Sequence, residues 1–137
     1  MSALTRFFFR NEVQVRSTAE VIGWWEARRL PFNIAVGSTG LVTLAATQFI
    51  LWVPPGTTMI PIVPALLIPA AYGFMANLCY TGGWIVELWL RKLFGREMDP
   101  VGPALFRYGF VFSIGLTLFP IAIMSLAKVT LILRTLF

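Results

Sequence analysis

The chain has 137 residues, of which 58% are hydrophobic and only 12% charged. A soluble domain carries about 25% charged residues, so this composition excludes a water-facing enzyme domain and a disordered tail. One cysteine, Cys79, leaves no intrachain disulfide and no Cys-x-x-Cys site. There is no histidine, which removes the usual ligand of haem, zinc and copper and the commonest general base. The net charge is +5. Its basic residues flank apolar stretches and form no basic helix with stacking aromatics, so the expected partner is anionic headgroups rather than nucleic acid.

Charge placement is more informative than charge count. No Asp, Glu, Lys or Arg occurs over the 57 residues from Leu30 to Val86, nor over the 20 from Tyr108 to Ala127. A helix crosses the hydrocarbon core with about 20 apolar residues. The first run has room for two crossings and a turn, and the second for one more. The expected class is an all-α, small polytopic integral membrane protein with three transmembrane helices and a short N-terminal interfacial helix.

In chain order, residues 1–16 mix charge with Phe7, Phe8 and Phe9 and read as a cytoplasmic arm. They lack the unbroken apolar core of a cleavable signal, so the first span is expected to act as an uncleaved anchor. Ser17-Thr18-Ala19-Glu20 fits a capping box. The helix it starts carries Trp24, Trp25, Arg28 and Arg29, residues suited to the headgroup zone. It is expected to stop before Pro31, which disfavours helix at Leu30. Residues 1–30 thus form the arm and interfacial helix, and 31–137 a single transmembrane domain.

The first span is expected over about 32–53, with Trp52 at its interface end. Pro54-Pro55-Gly56 is a turn signal. A second span occupies about 62–90, with helical pattern to Phe94. It is expected to continue through Thr81-Gly82-Gly83, a break there being the alternative. A hydrophilic connection follows, and Gly102-Pro103 suits a helix start. The third span covers about 106–127, and the tail 128–137 either extends it or lies along the far surface. Five basic residues precede the first span and four flank the second connection, against two in the tail. The positive-inside rule then puts the N-terminus in the cytoplasm and the C-terminus outside, in a bacterial inner membrane.

Each span carries small or polar residues at helical spacing. They are Thr39, Thr43 and Thr47 in the first, Gly73, Asn77 and Thr81 in the second, and Gly109, Ser113 and Thr117 in the third. Such residues let helices approach and bond. These stripes are read as helix-packing or partner interfaces, a pore lining being the alternative. Asn77 and Gln48 need partners inside the bilayer. Glu87 borders the long uncharged run, and Arg91 follows it in the favourable i,i+4 order. The expectation is an ion pair, with a gating or transport role as the alternative. Trp24, Trp25, Trp52, Trp84 and Trp89, with Arg28 and Arg29, read as membrane-interface anchors.

No catalytic, cofactor or metal residues are assigned, and the chain is not expected to be an enzyme. Three functions fit. The first is an accessory, assembly or scaffold subunit that packs against other membrane subunits or copies of itself. The second is a homo-oligomeric channel, pore or effector. The third is a binder of a lipid, quinone or other apolar molecule between its helices.

Overall fold

The computed structural model describes residues 17–55, 58–95 and 101–136. The expected arm at 1–16 lies outside them, as does most of the hydrophilic connection. The described residues form three helices and no strand: α1 (Thr18–Trp52), α2 (Ile62–Phe94) and α3 (Gly102–Leu136). All three are long and apolar enough to cross a membrane. The chain is a small all-α membrane protein.

At 1.5 Å per residue, helices of 35, 33 and 35 residues are about 50 Å long. The hydrocarbon core is about 30 Å thick. Each helix therefore projects well beyond it. Helix α1 begins with the expected capping box. Ser17 Oγ accepts from the Glu20 N–H at 3.3 Å, and Glu20 Oε2 accepts from the Ser17 N–H at 2.6 Å.

The helix does not stop before Pro31. It runs unbroken to Trp52, so the segment expected as a separate interfacial helix forms the first turns of α1. Pro31 withdraws one N–H from the Ala27 carbonyl. Tertiary packing overrides that cost, because Val21, Trp25, Arg28, Phe32 and Val36 are all buried. Their spacing carries one helical face through the proline.

Helix α2 continues through Gly82 and Gly83 as expected. It ends at Gly95, whose φ of 94° is one that residues with a side chain rarely adopt. Helix α3 starts at Gly102 and absorbs the tail, which extends it to Leu136.

The core sits toward the N-terminal end of α1. Val21, Trp25, Phe32, Tyr80 and Phe106 are buried there and pack as one cluster. Trp25 meets Tyr80 and Phe106 edge-on, with centroids 5.3 and 6.0 Å apart. Toward the other end the buried residues are small: Thr43, Thr47, Ala65 and Thr117. The bundle is an aromatic collar at one end and lightly filled at the other. Helix α2 packs less extensively on α3 than α1 does.

Candidate functional site

Glu87 is the most deeply buried ionisable group described, at 1% exposure. Burying a carboxylate is costly unless partners hold it. Here Arg91 Nη2 donates to Oε1 at 3.0 Å, and Trp25 Nε1 donates to Oε2 at 2.8 Å. The expected i,i+4 pair is thus present, and a ring from α1 joins it. The carboxylate also rests on Gly102, the first residue of α3. A Cβ there would lie 2.2 Å from Oε2. Helix α3 has no acidic residue in its first turn, so Glu87 brings negative charge from α2 to its positive end.

Trp25 is positioned in turn by a glycine. A Cβ on Gly83 would lie 2.6 Å from the Trp25 ring, so only glycine lets α2 accept the indole there. Tyr80 donates its hydroxyl hydrogen to the Trp25 carbonyl. One buried assembly therefore links α1, α2 and α3 through Trp25, Tyr80, Glu87, Arg91 and Gly102.

Beside it, Arg28 stacks over Trp24 at 3.9 Å from the ring centroid and donates to the Trp24 carbonyl at 2.8 Å. Arg29 makes a two-pronged pair with Glu26, at 2.7 and 2.8 Å, and donates to Thr81 Oγ1 at 3.1 Å.

Further along, amides and hydroxyls continue the cross-links. Asn33 and Asn77 exchange reciprocal hydrogen bonds of 3.2 and 2.9 Å between α1 and α2. Tyr72 donates to the Ser113 carbonyl at 2.8 Å, and Thr117 Oγ1 lies 3.0 Å from the Tyr72 oxygen. Gln48 closes the first hairpin by bonding both the carbonyl and the N–H of Ile60, each at 3.0 Å. Ile60 precedes helix α2, so no helical N–H serves its carbonyl, and the Gln48 amide does. Asn77 and Gln48 have the partners that bilayer depth requires.

Lys128 completes the far end. Helix α1 has no basic residue in its last turn. Lys128 of α3 donates to the Val53 carbonyl and, at 2.8 Å, to that of Pro55. A cation from one helix thus caps the negative end of another. Glu87 does the converse at the opposite end.

The stripe residues separate. Thr43, Thr47 and Thr117 are buried inside the bundle. The hydroxyls of Thr39, Thr47, Thr81 and Thr117 bond carbonyls four residues back on their own helices, at 2.6–2.9 Å. Gly109 is exposed, and neither it nor Gly73 has anything within 4 Å of a built Cβ. The close approaches fall instead at Gly83 and Gly102, which spacing alone did not single out.

Among the tryptophans, Trp52 and Trp89 are exposed as interface anchors would be. Trp25 is not an outward anchor; it belongs to the core because Glu87 accepts its N–H. Trp24 and Trp84 are half-buried against that core. Cys79 is exposed on α2.

Replacing Asn77 by Leu removes both amide bonds and leaves the Asn33 amide without its cross-helix partner. The expected loss is about 0.6–2 kcal/mol, read as an earlier midpoint in SDS-titrated unfolding from mixed micelles. An unchanged midpoint would mean the amide pair does not join the helices.

Compared with known families, curated proteins and solved structures, the chain has no match.

Proposed function

We propose that the chain is a non-catalytic subunit of a larger membrane assembly, acting as an accessory or scaffold element through its outer helix faces. Its place in this reading is a bacterial inner membrane, with the collar and its arginines on the cytoplasmic side and the end of α3 outside. The orientation rests on the nine-to-two division of basic residues.

The observation that carries the reading is how polar and apolar groups are divided. Asn33, Asn77, Gln48, Tyr72 and Glu87 are engaged by other parts of the same chain. Gln48, Asn77 and Glu87 are among the groups on which a water path through the bundle would depend. What faces outward is helix surface, including Leu41, Leu66, Phe74 and Phe112. Less than a fifth of each apolar window is covered by the rest of the chain. A unit locked inside and apolar outside acts by being packed against. Lipid supplies no hydrophobic drive for such packing, so contact comes from van der Waals fit between helix faces.

In-membrane photo-crosslinking tests this. A photoreactive residue in place of outward Leu41 or Phe112 is expected to give discrete protein adducts before detergent is added. The same residue at buried Val36 should cross-link only within the chain. Lipid adducts alone from every outward position would contradict the subunit reading.

A further inference from the structure

The lightly filled end of the bundle contains a cavity of about 290 Å³ between all three helices. Its walls include Gly40, Thr43, Pro64, Pro69, Pro120 and Met124. Three of these are prolines, which bring no N–H. The side-chain hydroxyls in the lining are Thr43, Thr47, Tyr72 and Thr117. The last three are engaged within the bundle. Thr43, at 7% exposure, has a hydroxyl with no partner. Pro69 and Pro120 leave the Ala65 and Leu116 carbonyls without their helical N–H, but most of the wall, with Leu44, Ile68, Leu116 and Met124, is apolar. The space suits hydrocarbon.

Its length and mouth narrow the occupant. On α3 the lining runs from Leu116 to Met124, about 12 Å of helix. That is most of one leaflet's share, about 15 Å, of the hydrocarbon core. One turn beyond Met124 stands Lys128. Its ammonium has three donors, and two bond the carbonyls of Val53 and Pro55. Those two bonds leave the third donor unused.

We propose that this cavity holds one acyl chain of an anionic phospholipid from the leaflet on the Lys128 side, with the lipid phosphate on the Lys128 ammonium. The site is distinct from the Glu87 assembly and does not depend on the subunit reading. It accounts for a row of prolines and small residues where a self-contained bundle would carry larger side chains.

The full chain is reconstituted in vesicles of phosphatidylglycerol and phosphatidylcholine, with a long-chain isoprenoid quinone added in a second preparation. It is then released into non-denaturing detergent for native mass spectrometry. One phosphatidylglycerol retained per chain is expected. Lys128→Gln removes the charge and keeps a polar side chain, and should lower that retention roughly five-fold.

Gly40→Leu should abolish retention. A Cβ at Gly40 meets only Thr117 Cγ2, at 3.9 Å, so the rest of the leucine occupies the cavity. Should that variant not fold, the unmodified chain still decides. Phosphatidylglycerol with a nitroxide on its acyl chain should then show a motionally restricted fraction of one lipid per chain, reduced by Lys128→Gln. Retention of the quinone in preference to phospholipid would overturn the proposal. So would no retained lipid, or retention indifferent to both substitutions.

Discussion

Replacing Glu87 by Leu is expected to produce the largest single loss of stability in this protein, about 3–5 kcal/mol. The substitution leaves Arg91 buried without the carboxylate it bonds, and leaves the Trp25 N–H without its acceptor. It also removes the negative charge lying against the start of α3. SDS-titrated unfolding in mixed micelles, followed by helicity and tryptophan fluorescence, measures the loss. A second substitution separates the ion pair from its packing. Glu87→Leu combined with Arg91→Met removes both charges and keeps comparable volume. Buried pairs replaced by well-packed apolar residues are often neutral, so the double variant should recover most of the loss. Trp25→Phe keeps a ring but not the N–H and should cost about 1–3 kcal/mol. A double variant as unstable as Glu87→Leu alone would show that the loss does not come from the charge left on Arg91.

The second large effect is expected at two glycines. Gly102→Ala places a methyl 2.2 Å from the Glu87 carboxylate, and Gly83→Ala places one 2.6 Å from the Trp25 ring. Neither neighbour has an easy way aside, since each holds the other by the 2.8 Å hydrogen bond. Overpacking of this kind costs about 1–3 kcal/mol. Gly73→Ala and Gly109→Ala meet nothing within 4 Å and lie inside helices. They should be neutral or stabilising by up to about 1 kcal/mol. The contrast between the two pairs, measured in one denaturation series, tests whether the helices meet where the structure puts them. Equal effects at all four glycines would show that they do not.

Much of this fold is written locally and was legible. The uncharged runs marked the spans, Ser17 and Glu20 a helix start, and Gly102-Pro103 the start of α3. The pairing of Glu87 with Arg91 followed from one helical turn. Pro31 misleads when its local preference is taken alone. The burial of Trp25, Arg28, Phe32 and Val36 runs through it at helical spacing, and packing of that whole face outweighs one lost hydrogen bond.

The cross-helix partners were not legible, because spacing assigns a face but not the neighbour it meets. Trp25 for Glu87, and Lys128 for the end of α1, required the three helices to be set side by side. A signal for both was nevertheless present. Helix α3 has no acid in its first turn and α1 no base in its last. Such uncompensated helix ends point to charges arriving from elsewhere in the chain. Small-residue stripes were a weaker guide. They mark where approach is permitted, and only a large neighbour such as the Trp25 indole shows where it is used.

Three crossings would put the Glu87 collar and the Lys128 end on opposite sides of the membrane. Single cysteines at Ala19, Thr58 and Thr135, in a Cys79→Ser background, test this directly with a membrane-impermeant maleimide on intact cells. Labelling is expected at Thr58 and Thr135, and at Ala19 only after the membrane is opened. Ala19 and Thr135 labelled from the same side would contradict three crossings.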